Sequence, residues 1–373
     1  MPYLVALAAG FAAVLAFAPF DQAWIAPFSV AALFWAWTVL PPRRAATAGF
    51  LFGVGLFLGG TYWTFISIRI FGQAPILLAV FLMLGLVAIM AAYYAGVGYV
   101  ARRWMFPGRG AALMLLWPAA WVLSEWLRGW VLSGFPWLSL GYSQIDTPLA
   151  GFAPVLGVFG VSLAVAQSGG AILMLRPTAL RASTGAVLLL GVLWGGGSLL
   201  GHAGWTTAVG PPVTVSLIQG AVSQDRKWLP EERLPTLSLY RELTEQELGR
   251  NLIVLPEAAI PLLMHRAGGY LSALGEAARE RGSEIVLGIL RRGEDDGPVY
   301  NSIVVLGRTP QIYDKRHLVP FGEYFPVPGF VRDWMRMLSL PYSDLGVGRA
   351  RQLNRIDWVL ERDKKIKRPD QDS

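Results

Sequence analysis

The sequence contains no cysteine among its 373 residues. Disulfides, cysteine-ligated metals and a thiol nucleophile are therefore excluded within it. It has three histidines, His202, His265 and His317, too few and too scattered for a zinc site. Charge is also scarce, at 15% of residues against about 25% in an average soluble domain. The scarcity is uneven. Residues 1–205 hold only three acids, Asp21, Glu125 and Asp146, with nine arginines, whereas residues 206–373 hold 22 acids and 23 basic residues. The pI near 9.7 thus reflects arginines between apolar segments. Membrane topology explains that pattern, and nucleic-acid binding is not expected.

What is present is oil. Hydrophobic residues make up 54% of the chain and mean hydropathy is +0.45. Seven runs approach the roughly 20 apolar residues needed to cross a bilayer: about 2–18, 23–40, 46–66, 75–100, 111–127, 154–175 and 184–201. The first lacks the basic start and cleavage site of a secretory signal and reads as a retained helix. Arg43 and Arg44, then Arg102, Arg103 and Arg109, then Arg176 and Arg181 fall in alternate loops, while the opposite loops carry Arg69 and Arg128. The bias predicts a cytoplasmic N-terminus and an extracytoplasmic region after about residue 202. The stretch GWVLSGFPWLSLGYSQIDTPLAG is rich in aromatics and reads as an interfacial anchor.

From Pro211 the pattern changes. VTVSLIQGAV reads as a buried strand, PEERLPTLSLYRELTEQEL as a helix with Pro near its start, and NLIVLPEAAIP as a strand ending at Pro256-Glu257. YLSALGEAARERG reads as a helix closed by Gly282, followed by strands SEIVLGILRR, VYNSIVVLG and PQIYDK. Strands alternating with helices predict a layered α/β domain. The expected organisation is a transmembrane bundle of about seven helices over 1–205, an α/β domain over 206–345, and a charged, disordered tail over 346–373.

Glu257 follows an apolar strand, where a partly desolvated carboxylate suits general-base work. Lys315 follows the strand QIYD, where an ammonium can stabilise an oxyanion. Glu323 stands between glycine and aromatics in PFGEYFP and can orient either one. On position alone each reads first as an ordinary strand-end or turn residue, with Lys315 paired to Asp314. His317 reads as structural.

Taken together, LIVLPEAAIP, YNSIVVLG, YDKRHLVPFGEYFP, GFPWLSLGYSQID and SLIQGAVSQDRKW resemble the apolipoprotein N-acyltransferases, from the first helices to about Asp344. The resemblance implies a multi-pass protein of the bacterial inner membrane, with a periplasmic nitrilase-like αββα sandwich of the carbon–nitrogen hydrolase type. It implies a phospholipid acyl donor, a diacylated apolipoprotein acceptor, a ping-pong thioester mechanism and no cofactor. A monomer is expected. Glu257 matches the general base, Lys315 the oxyanion-stabilising lysine, Glu323 and Asn301 supporting polar positions, and Trp228 a tryptophan near the substrate pocket.

One feature of the family has no counterpart. Its nucleophile is a cysteine on a strand end some tens of residues after the lysine, and this sequence has none. Ser339 and Ser343 lack the context to replace it. After LPYSDLGVGRARQ the text turns polar, without the family's closing helix, so the α/β domain is expected to be incomplete and the chain inactive as it stands. A disrupted reading frame near residues 345–355 is favoured over a genuine short homologue. The alternatives are a non-catalytic lipid- or lipoprotein-binding membrane protein, a small-amide hydrolase, which needs no bundle, and a transporter, which wants charge within its spans.

Overall fold

Contact between residues divides the chain into two units, Met1–Thr207 and Ala208–Ser373. The computed structural model describes residues 1–72, 74–106, 108–131, 134–175, 180–294, 297–319, 323–324 and 345–348. Ser339, Ser343 and the tail beyond residue 348 lie outside the described residues.

The first unit is helical. Its elements are α1 (Pro2–Val14), α2 (Ile25–Val39), α3 (Pro42–Gly60), α4 (Trp63–Ile66), α5 (Ile76–Arg103), α6 (Arg109–Ala111), α7 (Trp117–Arg128), α8 (Ala153–Ile172) and α9 (Leu180–Gly201). A π-turn over Ala112–Leu116 joins α6 to α7. Among the described residues four helical segments, Ile76–Arg103, Arg109–Arg128, Pro148–Ile172 and Leu180–Gly201, are long and apolar enough to cross a membrane, the third of them broken at Gly157, whose φ is 64°. Pro42–Gly60 and Trp63–Ile70 meet at a 53° bend and make a fifth if counted together, whereas α1 and α2 are shorter apolar helices. Small residues let these helices close up. A Cβ added at Gly49 would lie 2.2 Å from the Tyr94 carbonyl oxygen, so α3 and α5 touch backbone to backbone there. Aromatic rings fill the centre: Phe34 stacks on Trp37 at 5.3 Å, and Tyr94 meets Trp121 edge-on at 4.9 Å.

Arg128 is not a loop residue, as the charge pattern suggests, but is buried at the end of α7 with 1% of its surface exposed. Its guanidinium donates to the Trp137 carbonyl and, at 3.1 Å, to Ser139 Oγ. Glu125, one turn earlier and also buried, accepts from Trp121 Nε1 and from the Leu140 amide, each at 2.9 Å. Buried charge persists only when partnered, and here the partners are Trp121 on the same helix and the segment 137–140. Sequence spacing hides this, because the partners lie in a stretch whose aromatics read as an interfacial anchor.

The second unit is built on one described sheet. Its strands are β1 (Val215–Leu217), β2 (Leu252–Val254), β3 (Ile260–Leu263), β4 (Glu284–Arg292), β5 (Val299–Leu306) and β6 (Gln311–Asp314). The order is β1-β2-β4-β5-β6, with β3 also on β4. β1, β2 and β4 run parallel, and β4, β5 and β6 form an antiparallel meander. The parallel part needs crossovers, supplied by α10 (Arg233–Gln246) and α11 (Gly268–Arg281). Ile253, Ile285, Leu287 and Ile289 pack with Tyr240 of α10 and with Leu271, Leu274 and Ala278 of α11. The every-other-residue spacing on β4 is the period that sends side chains to one face.

Two local expectations are corrected. VTVSLIQGAV is not a buried strand: only Val215–Leu217 pair, and Val215 and Leu217 are exposed because β1 is the terminal strand of the described sheet. IPLL forms β3, a strand beyond Glu257 that the sequence pattern does not announce.

Candidate active site

The sheet topology selects where side chains can meet. The C-terminal ends of β2 and β6 and the start of the antiparallel β5 all lie at the same end of the strands. Glu257 follows β2, Asn301 is near the start of β5, and Lys315 directly follows β6. The Lys315 amide donates to the Asn301 carbonyl at 2.8 Å, extending the β5–β6 pairing by one step.

Four side chains converge there. Lys315 Nζ donates to Glu323 Oε1 at 2.9 Å and to Glu257 Oε1 at 3.3 Å. Asn301 Nδ2 donates to Glu323 Oε1 at 2.8 Å and also to Glu257 Oε1. The Val319 amide donates to Glu323 Oε2 at 2.7 Å. The Lys315–Glu257 approach is closer than the 4–6 Å that would already couple two ionisations.

The two carboxylates are not equivalent. Glu323 has both oxygens engaged and its side chain is 14% exposed. Glu257 has both donors on Oε1, no described partner on Oε2, and a side chain 65% exposed. A carboxylate that must take up a proton needs a free lone pair facing the reactant. Only Glu257 offers one. The same count applies to the lysine: of its three N–H bonds, two are spent on Glu257 and Glu323, leaving one for an incoming oxygen. Burial pushes Lys315 down, but its bond to Glu323 and the charges of both glutamates outweigh this and hold it above its ordinary value. It is therefore an ammonium at neutral pH. Burial pushes Glu323 up, yet the Val319 amide, Asn301 and Lys315 hold it below the usual range.

The backbone around Glu257 is tightly constrained. Ala258 adopts a left-handed φ of 47°, which costs an L-residue about 1–2 kcal/mol. Beneath it, Gly288 on β4 leaves no room: a Cβ there would lie 2.4 Å from the Ala258 nitrogen and 2.7 Å from Glu257 Cα. Lys227 also reaches in, donating from Nζ to the Glu257 carbonyl at 3.1 Å. Burial lowers its pKa, partly countered by the Glu257 charge. Trp228 is exposed, and its described contact is with the Lys227 ammonium, 5.9 Å from the ring centre. It shares no described bond with the four converging side chains. Asp314 accepts both Arg291 Nε at 3.0 Å and Arg291 Nη2 at 2.5 Å, and Ser302 Oγ at 2.6 Å. This fork ties β6 across β5 to β4 and fixes the strand that delivers Lys315.

Gly288 and Lys227 were not singled out from sequence. Gly288 interrupts the apolar run IVLGIL, and glycine inside a strand marks close backbone approach. Lys227 stands beside Trp228 in SQDRKW and carried no signal of its own. Among the described residues no group of three His, Asp or Glu side chains is arranged to hold a metal ion.

Comparison with known proteins agrees on both units. Residues 9–171 match the apolipoprotein N-acyltransferase N-terminal domain, and residues 214–354 match the carbon-nitrogen hydrolase family. The chain is 39% identical over 353 residues to apolipoprotein N-acyltransferase of Methylococcus capsulatus, covering 94% of this chain and 69% of that protein. It is 41% identical over 352 residues to that of Pseudomonas putida, covering 92% and 69%, and 42% identical over 358 residues to that of Azotobacter vinelandii, covering 94% and 69%. It is a membrane protein with a carbon–nitrogen hydrolase unit, and it belongs to the apolipoprotein N-acyltransferase family.

Proposed function

We propose that the chain carries the acid–base and oxyanion-stabilising part of an enzyme that moves an acyl chain from a phospholipid to the N-terminal amine of a diacylglyceryl-cysteine on a lipoprotein. The observation that carries this reading is the division of labour at Lys315. Its ammonium bridges Glu257 and Glu323 and keeps one N–H open, while Glu257 keeps Oε2 open.

In the first half-reaction Glu257 Oε2 takes the proton of a thiol as the sulfur attacks the ester carbonyl. The oxyanion so formed meets the free N–H of Lys315. Collapse expels the lysophospholipid alkoxide, which takes the proton back from Glu257, and a thioester remains. In the second half the acceptor amine attacks the thioester and gives a proton to Glu257, which returns it to the leaving thiolate. Glu323 and Asn301 hold Lys315 and Glu257 in place. Trp228 is assigned to the substrate side of the same rim through its neighbour Lys227. The arginine bias supports a bacterial inner-membrane protein with this unit in the periplasm, beside two lipid-anchored substrates. No cofactor enters the scheme.

The sequence has no cysteine, so the thiol in this scheme comes from outside these 373 residues. Removing the nucleophile of such a set costs on the order of 10⁶-fold in turnover. The 373-residue chain, reconstituted with phospholipid labelled in its acyl chain, is expected to form no hydroxylamine-labile adduct. A version with the cysteine-bearing C-terminal segment of a relative joined after residue 344 is expected to form one. Labelling of the unmodified chain would sink the assignment, because another residue would then be attacking. The missing cysteine also favours a second reading, a homologue that binds lipid or lipoprotein without turnover. That reading wins if the grafted version binds both substrates and still does not react.

A further inference from the structure

A pocket of about 430 Å³ opens in the helical unit, lined by Pro41, Pro42, Arg43, Arg44, Tyr99 and Arg103. It is an open cleft at the surface and not an enclosed cavity. None of its residues takes part in the constellation around Lys315. Its walls come from the start of α3 and the last turns of α5.

Three features point to an anion as its occupant. First, Arg43, Arg44 and Arg103 line it, and none of their guanidinium groups has a described partner. Arg102, next along α5, is by contrast committed: its Nε donates to the Leu40 carbonyl at 2.9 Å and its guanidinium lies over Phe106. Second, the end of the unit that carries the pocket has no counter-charge. The loops after α2 and α5 and the start of α9 bear only arginines, while Asp21 and Asp146 lie in loops at the other end and Glu125 is buried in the Arg128 network. Third, Arg43 and Arg44 occupy the first turn of α3. Cations there oppose the positive end of the helix dipole. A sequence that accepts this local conflict is compensated elsewhere, and a bound anion would compensate both the dipole and the three guanidiniums.

The surroundings identify the anion. Both helices are apolar: α5 is long enough to span a membrane, and α3 belongs to the bent pair that makes a further span. Exposed Trp104 and Phe106 follow α5 directly, and aromatics at a helix end favour the headgroup level. Basic pockets between spanning helices suit phosphate-bearing headgroups, and arginine forks match phosphate oxygens two at a time. We propose that this pocket binds the phosphate of an anionic phospholipid, in the leaflet at the arginine-rich end of the bundle. The inference does not depend on the reaction proposed above, since it concerns other residues and a lipid that is held rather than consumed.

The test uses the 373-residue chain in neutral detergent, titrated with short-chain phosphatidylglycerol, phosphatidylcholine or inorganic phosphate while tryptophan fluorescence follows thermal unfolding. Phosphatidylglycerol is expected to raise the midpoint by several degrees and the other two to leave it unchanged, with the effect weakening as salt rises. Combined Arg43→Gln, Arg44→Gln and Arg103→Gln substitution is expected to weaken phosphatidylglycerol binding at least tenfold, whereas Arg181→Gln, at the same end but outside the pocket, leaves it within twofold. If the triple variant does not fold, Arg103→Gln alone is expected to weaken it several-fold. Equal responses to the two lipids, or a full response to inorganic phosphate, would overturn the proposal. So would pocket variants that bind like wild type, or an equal loss with Arg181→Gln, which would signal diffuse charge.

Discussion

Lys315 Nζ and Glu323 Oε1 lie 2.9 Å apart, and Glu323 is the better walled of the two glutamates that the lysine holds. The pair links stability to pH on both sides. Glu323 is held below its ordinary 4.5, so its contribution is full above that value and is lost as pH falls through the lowered one. Lys315 is held above 10.5, so its contribution is full below that value and is lost as pH rises through the raised one. Glu323→Gln is therefore expected to destabilise the second unit by about 1–3 kcal/mol at neutral pH, and the gap from wild type should close on acidification. Thermal unfolding of both proteins from about pH 7 down to about pH 2 checks it, and a gap that stays constant over that range would contradict the linkage.

Asn301 sits between the two carboxylates and gives one amide hydrogen to each. Asn301→Ala removes the donors. Asn301→Asp removes them and adds a third negative charge in the same place. At neutral pH the aspartate variant is expected to be the less stable of the two, and the order should narrow or reverse in acid as carboxylates take up protons. Unfolding midpoints at two pH values decide it.

Gly288→Ala is expected to cost about 1–3 kcal/mol through overpacking, because the nearest obstacles are backbone atoms of Glu257 and Ala258 and not a flexible side-chain tip. It should also loosen Glu257. Carbodiimide labelling of Glu257, read by peptide mass spectrometry, should rise relative to Glu323. Unchanged stability together with unchanged labelling would show that the strands part without consequence.

Glu125→Leu strands two buried donors, Trp121 Nε1 and the Leu140 amide. Each costs about 1–3 kcal/mol when left unpaired. Hydrogen exchange at the Leu140 amide should accelerate well beyond that of amides inside α5. Exchange as slow as in the parent would mean that the segment 137–140 is held by packing alone.

Much of the fold was legible because its signals are local. The 3.6-residue and two-residue periods mark α11 and β4, and Gly282 closes α11 as read. The bundle was legible as apolar runs, but not its interior polarity, because nothing in EWLRGW says that Arg128 turns inward to meet Trp137 and Ser139. The grouping of Glu257, Asn301, Lys315 and Glu323 came from family motifs and not from position, since Glu257, Lys315 and Glu323 taken singly read as strand-end or turn residues and Asn301 carries no positional signal. Gly288 and Lys227 escaped because their importance is a matter of what lies across the sheet or across a loop. β1 misled because an apolar run such as VTVSL looks the same at the rim of a sheet as in its middle.

Sequence distance within the constellation has a consequence for how it comes apart. Lys315 is 8 residues from Glu323, and Asn301 is 22 from it, but Glu257 is 58 from Lys315 and 44 from Asn301. Closing the longer loop costs about 1 kcal/mol more chain entropy than closing one of 22 residues. The meander of β5 and β6 can hold three members by itself, whereas Glu257 arrives through a parallel crossover. Should that crossover open by itself, the base leaves and the ammonium remains neutralised by Glu323. The site thus fails quietly: it loses its proton acceptor before it exposes an unpaired cation.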